Sequence, residues 1–305
     1  MSSWIQGIRP HCRTRRAPDR PRSRQTGTVS RSTGSRHDDA TSSSPPGRRR
    51  RAAPRSRTRR VLKGVALVLF AVVVLVATGF FVWAKTPMSA TASSLAAVAD
   101  DTRVDVADQP DVVVLRPART TALDQGLVFV AGARVDPQAY EQVLAGLVAT
   151  GVTVVVERPV LGFGILDPRP LSHFTDLAPE VTNWAVGGHS LGGVRACQYA
   201  ADDPTVEGLV LFGSYCATTD LSGRDDLPVL SLGGSRDGLS TPDDIERYRD
   251  MLPDDATVVE IPGLAHAQFG SYGAQPGDGE PSISDEEARS RIDRELTSFF
   301  AGVGD

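Results

Sequence analysis

The longest uninterrupted apolar stretch runs from Gly64 to Ala84, 21 residues between Lys63 and Lys85 without a charge, closing on Phe80, Phe81 and Trp83. At about 1.5 Å rise per residue it spans about 31 Å as a helix, the thickness of a bilayer's hydrocarbon core. It predicts one transmembrane helix, assigned to residues 61–85. Further along, short apolar β-branched runs recur at Val112–Leu115, Leu127–Ala131, Val152–Val156, Trp184–Gly187, Gly208–Phe212, Val229–Gly233 and Thr257–Ile261. Helix-compatible stretches fall between several of them, at Pro137–Ala149, Leu191–Ala201, Pro242–Met251 and Ser284–Ala301. Strands that are apolar throughout, rather than alternating, belong to a parallel sheet covered on both faces. The fold class is therefore α/β, a mostly parallel sheet with helices on both faces, preceded by one transmembrane helix.

Charge divides the 305 residues unevenly. Residues 1–60 carry 17 Arg and three acids (Asp19, Asp38, Asp39), whereas the remainder holds 16 basic and 34 acidic residues. The first segment has almost no aliphatic residues and cannot bury enough apolar surface to offset chain entropy, so residues 1–60 are expected to be a disordered Arg-rich tail. Its closing cluster, Arg48–Arg51, Arg55, Arg57, Arg59 and Arg60, directly precedes the apolar stretch, while residues 86–102 carry only Asp100 and Asp101. The positive-inside rule then puts the tail in the cytoplasm and the body outside the cell membrane, a single-pass topology. That topological role accounts for the arginines, and no nucleic acid is expected as a partner. Ala90-Thr91-Ala92 resembles a signal-peptidase site, but the apolar stretch exceeds the length of a cleaved signal, which favours a retained anchor. The Ala, Ser, Thr and Asp content of residues 86–106 suggests a tether, leaving 107–305 as the folded domain.

The chemistry concentrates at Gly188-His189-Ser190-Leu191-Gly192, followed by Gly193. A serine nucleophile gains from a tight strand-to-helix turn that exposes its hydroxyl, with small residues flanking the bend. The pentapeptide alone is weak evidence; the short strand before it and the helix-compatible run after it supply the required context. A serine hydroxyl needs a base, and the base an orienting acid. His266 is the single histidine after Ser190. Asp237 stands just beyond the apolar run Val229–Gly233, where a sheet of this type presents its catalytic loops. Asp220, Asp225 and Asp226 precede that run, and Asp243 lies in a helix's first turn, so they fit less well. The candidate catalytic residues are Ser190, Asp237 and His266. Leu191, at the head of a helix, offers a backbone N–H for an oxyanion.

The order Ser190, Asp237, His266 resembles that of the α/β-hydrolase superfamily, and the resemblance runs from about Val112 to the carboxyl terminus. It rests on Gly126-Leu127-Val128-Phe129-Val130-Ala131-Gly132-Ala133, the elbow, Gly234-Ser235-Arg236-Asp237-Gly238, and Gly263-Leu264-Ala265-His266-Ala267-Gln268-Phe269-Gly270. Within the superfamily the chain is most similar to small capless bacterial hydrolases related to the dienelactone hydrolase group, often membrane-anchored. That group carries a Cys nucleophile where this chain has Ser190, so its particular substrate does not transfer. The resemblance implies a second oxyanion donor at Ala133, with Gly132 and Arg134 as alternatives.

Only sixteen residues separate Phe212 from Val229, too few for a helical cap, so no large cap domain and an open pocket are expected. His189 is expected to pack behind the nucleophile, and His173 to lie at the surface or pocket rim. Tyr272 and Gln275 are candidates for substrate contact. No histidine pair approaches metal-ligand spacing, and neither a Walker sequence nor a dinucleotide fingerprint occurs, so no cofactor and no metal are expected. Cys197 and Cys216 fall on elements that should be neighbours, which leaves open a disulfide or two buried thiols. The function these features point to is a membrane-anchored extracytoplasmic serine hydrolase cleaving small carboxylic esters through an acyl-enzyme. The alternatives are an acyltransferase on the same residues, or a non-catalytic surface binding protein.

Overall fold

The computed structural model describes residues 56–304, so the expected tail over 1–60 lies almost wholly outside the described residues. Helix α1 (Ser56–Ala84) opens with Arg57, Arg59, Arg60 and Lys63 and then carries the uncharged stretch, its apolar side chains exposed as far as Trp83. Among the described residues it is the one helix long and apolar enough to cross a membrane.

After it come α2 (Ala92–Ala99), β1 (Val104–Asp108), β2 (Val112–Pro117), β3 (Gln125–Val130) and α3 (Glu141–Ala149). Then follow β4 (Thr153–Glu157), the short α4 (Ser172–Thr175), β5 (Asn183–His189) and α5 (Leu191–Asp202). The chain finishes with β6 (Gly208–Phe212), β7 (Val229–Gly234), α6 (Pro242–Arg247), β8 (Thr257–Ile261) and α7 (Asp285–Phe300). The eight strands form one sheet in the order β1-β2-β4-β3-β5-β6-β7-β8. Only β1–β2 and β2–β4 pair antiparallel; every pairing from β4 to β8 is parallel. Successive side chains on a strand point to opposite faces. Leu127 and Phe129 of β3 thus join Leu144, Ile292 and Leu296 of α3 and α7 on one face, while Val128 and Val130 join Phe174, Ala196 and Ala200 of α4 and α5 on the other. Between β6 and β7 there is no helix, and among the described residues no cap domain covers the sheet.

Residues 86–106, expected to form a tether, are instead built into the domain. Thr91 caps α2, its hydroxyl accepting from the Ser94 N–H at 3.2 Å, and Val98 is buried. β1 adds an antiparallel edge strand in which Val104 is buried and the next four residues are exposed. An edge strand with one solvated flank presents the same polar-rich composition as a linker, which is why composition misread it.

At its carboxyl end β4 carries a buried charge cluster. Burial, reinforced by the nearby Asp167 carboxylate and opposed by Arg169, pushes the Glu157 carboxyl up to about 8. Burial would also raise Asp167, but hydrogen bonds from the Arg169 guanidinium (2.6 Å and 2.8 Å) and the Val160 N–H hold it down at about 2.

Two outcomes follow from this arrangement. Val98→Asp and Val104→Asp, harmless in a solvated tether, should each lower the melting temperature by about 5 °C or more, since each puts an unpaired charge into the core. For Glu157 the folded pKa exceeds the unfolded value of about 4.3, so the folded state holds the extra proton and stability falls as pH rises from there through about 8. Glu157→Gln should therefore flatten the decline in melting temperature between pH 5 and 8.5; parallel curves for the two proteins would refute the assignment.

Candidate active site

Strand β5 ends at His189 and α5 begins at Leu191, so a single residue, Ser190, makes the whole turn, at φ 53° and ψ −125°. Such a turn forces three backbones together. A Cβ on Gly188 would strike the backbone of Gly192, and one on Gly192 would strike the carbonyls of Val130 and Ala131 at the end of β3. Neither contact is with a side chain that could swing away, so glycine is required at both positions. The turn is pinned further: the Ser190 N–H donates to the Phe212 carbonyl (2.9 Å), and the Ser190 carbonyl accepts from Gly193 N–H (3.0 Å) and the Ser214 hydroxyl (2.6 Å). Cys197 of α5 and Cys216, just beyond β6, are disulfide-bonded across Cα atoms 5.6 Å apart, so the helix carrying the elbow is stapled to the loop that braces it.

Asp237 lies beyond the carboxyl end of β7 with its side chain fully buried. Its Oδ1 accepts from the Leu239 N–H (2.8 Å) and the Ser240 N–H (2.7 Å), and its Oδ2 is 2.8 Å from Nδ1 of His266, itself fully buried. A carboxylate oxygen can only accept, so Nδ1 carries the proton and the neutral ring presents a bare lone pair at Nε2. That Nε2 has no hydrogen-bond partner among the described residues. Ser190 Oγ is not bonded to it, as is common in free enzymes, whose catalytic hydrogen bonds tighten only with substrate. Gly213 (φ 47°) lies directly under the acid–imidazole pair, where a Cβ would sit 2.9 Å from Asp237 Oδ2 and 3.0 Å from His266 Nδ1.

The three N–H groups weighed at the loop after β3 differ in their engagement. Gly132 N–H donates to the Tyr140 hydroxyl (2.9 Å) and Arg134 N–H to the Gly162 carbonyl (2.7 Å), whereas Ala133 N–H has no partner among the described residues. Leu191 N–H, at the head of α5, has none either. Tyr140 also reaches Nδ1 of His189 at 2.9 Å. The buried His189 ring stands 4.4 Å from that of His266. Burial, with the neighbouring imidazole, holds His189 well below the usual histidine range, so it stays neutral beside the His266 ring.

Other residues fall elsewhere. His173 is exposed on α4 and hydrogen-bonds Asp111 (2.9 Å). Tyr272 is buried and gives its hydroxyl proton to Gln275 (2.9 Å), so the two engage each other. Two features carried no signal in the pattern of the sequence. The first is Asp278, whose carboxylate receives the N–H groups of Gly238 (3.1 Å), His266 (3.1 Å) and Ala267 (2.8 Å), tying the loop of the acid to the loop of the base. Only the lone acid inside a glycine-rich segment could have hinted at it. The second is Pro159–Leu166, a run without a polar side chain, too rich in glycine for a strand, that follows β4 at the same edge of the sheet.

No curated protein matches the sequence. Among solved structures the chain is similar to a thermostable esterase from Pseudomonas putida (14% identity, covering 70% of this chain and 89% of that one, TM-score 0.50). Others are a candidate dienelactone hydrolase from Klebsiella pneumoniae (16%, 65% and 98%, TM-score 0.47) and a serine hydrolase without a lid from Xanthomonas campestris (13%, 66% and 95%, TM-score 0.45). At these identities the likeness is one of fold. The profile of the alpha/beta hydrolase family matches residues 126–290, more than half of the chain and all of the site just described, and the protein belongs to that family.

Proposed function

We propose that the protein is a membrane-anchored serine hydrolase that cleaves carboxylic esters through an acyl-enzyme, with Ser190 as nucleophile, His266 as general base and acid, and Asp237 as the orienting acid. The observation that carries this reading is the unpartnered Nε2 of a buried histidine whose other nitrogen is held by a carboxylate 2.8 Å away, its ring 4.4 Å from that of His189, the residue before a serine on a strained elbow. Nε2 takes the Ser190 proton as Oγ attacks the ester carbonyl carbon. The oxyanion that forms is received by the free N–H groups of Leu191 and Ala133. Collapse expels the alcohol, which leaves with the proton from His266. Water, deprotonated by the same nitrogen, then attacks the acyl-enzyme and releases the carboxylic acid.

The uncharged stretch of α1 supports the anchor, and the arginines before it support a cytoplasmic amino terminus with the domain outside the cell membrane. The Cys197–Cys216 bond supports the same side, since disulfides persist in oxidising compartments. The sheet's uncapped edge favours small or protruding esters over deeply buried acyl chains.

A fluorophosphonate probe should label the full chain in detergent, and Ser190→Ala should abolish labelling and lower kcat/KM on a short-chain aryl ester by at least about 10³-fold. Labelling that survives the substitution refutes the assignment, and turnover strictly dependent on an added alcohol would make the protein an acyltransferase. Asp278→Ala should leave the fluorophosphonate site intact but lower kcat by about 10²-fold with KM shifted less than threefold, because it loosens the base without touching substrate. An equal effect on both constants would make Asp278 a substrate-binding group instead.

A further inference from the structure

The carboxyl end of α1 is not followed by a free linker. Ala84 is buried against the domain. The Arg134 guanidinium donates to the carbonyls of Trp83 (3.1 Å) and Thr86 (2.6 Å) and lies 4.0 Å over the Trp83 ring. Met88 then pairs with the same loop, its N–H donating to the Arg134 carbonyl (2.6 Å) and its carbonyl accepting from Asp136 N–H (2.9 Å). The span thus enters the domain at the residue next to Ala133, and Arg134 N–H in turn holds the Gly162 carbonyl of the loop after β4. Membrane helix, oxyanion loop and the Pro159–Leu166 run are one bonded unit.

This fixes the depth of that run. Phe163 stacks on Phe80, ring centroids 6.4 Å apart and planes 12° apart, and lies 6.0 Å from the Trp83 ring. Phe80 is a full turn inside the apolar stretch, about 6 Å along the helix axis from Ala84. A ring stacked on it stands at the same level, within the boundary of whatever bilayer α1 crosses. On the same loop Val160, Ile165 and Leu166 are 44%, 42% and 55% exposed, and no charged side chain interrupts Pro159–Leu166. Trp83 and Lys85 stand at the end of the apolar stretch of α1, an aromatic and a cation of the kind that settle at headgroup depth. Opposite, Gly164 is buried against Val130 and Arg195 of α5, so the loop is also seated beside the helix that begins at Ser190.

We propose that Val160–Leu166 rests in the membrane leaflet in which α1 ends, and that the esters cleaved at Ser190 are those of amphiphiles resident in that leaflet. This rests on the hydrolase reading above and names its substrate class. A carbonyl at headgroup depth reaches the uncapped edge of the sheet without its acyl chain leaving the bilayer, which removes the need for a long buried acyl tunnel.

The test uses the full chain reconstituted into phosphatidylcholine vesicles. A polarity-sensitive maleimide dye on Leu166→Cys, in a Cys12→Ser background, should emit to the blue of the same dye on Asp255→Cys, which lies in the loop entering β8 at the opposite edge of the sheet. Only the first should be quenched by spin-labelled lipid. Water-like emission at both positions overturns the proposal. In a second arm, Ile165→Asp combined with Leu166→Asp should leave turnover of p-nitrophenyl acetate in water within twofold of wild type. It should lower turnover of a vesicle-embedded 4-methylumbelliferyl oleate at least tenfold. Equal losses on both substrates, or none on either, overturn the proposal while leaving the hydrolase reading standing. A wild-type protein that turns over neither ester and resists the fluorophosphonate overturns the hydrolase reading, and the substrate class with it.

Discussion

Everything at the site depends on three backbones meeting where a side chain has no room. Gly188 lies against Gly192, and Gly192 against the carbonyls of Val130 and Ala131, so β5, α5 and the end of β3 are locked at contact distance. That contact sets the Ser190 turn and the head of α5 against the chain just before Ala133. A methyl group at either glycine would push the helix away from the strand it meets. The cost of holding a non-glycine residue at φ 53°, of order 1–3 kcal/mol, is met by the hydrogen bonds to Phe212, Gly193 and Ser214 and by the disulfide behind them.

The sheet was legible because β2 to β7 are buried along nearly their whole length, and the exposed edge strand β8 still shows a β-branched run. All seven apolar runs read from the chain are strands, and Gly208–Phe212 and Thr257–Ile261 match to the residue. What composition could not show is the part of the domain with only one buried flank: α2 and β1 read as a tether because Ser94, Val98 and Val104 are the few inward positions among polar neighbours. Asp237 and His266 were singled out by chain order and by their places after strands, and they share a hydrogen bond. Asp278 escaped notice because its work is done by accepting three backbone N–H groups, and no residue pattern in the sequence records where a carboxylate finds amides.

The two histidines at the centre show how burial divides labour. His189 and His266 are both buried with rings 4.4 Å apart, and two cations so close in a dry site would repel strongly. Only His266 has a carboxylate at its back. His189 has the neutral Tyr140 hydroxyl, whose own proton burial makes still harder to remove. Of the two rings only His266 has a partner that would stabilise a positive charge, and His189 packs against it as a neutral neighbour.

Among the described residues three that are not glycine adopt positive φ: Arg134, Leu161 and Ser190, at 57°, 56° and 53°. They do not scatter over the described residues. Ser190 is the elbow, Arg134 follows the free N–H of Ala133, and Leu161 precedes the glycine whose carbonyl Arg134 holds. Strain persists only where surroundings over-determine it. For Arg134 those surroundings include the carbonyls of Trp83 and Thr86 and the face of the Trp83 ring, all supplied by the end of α1. The helix that reads from sequence as a mere anchor is thus among the contacts that hold the loop after β3 in its high-energy conformation, and cutting the chain at residue 86 would remove part of that hold.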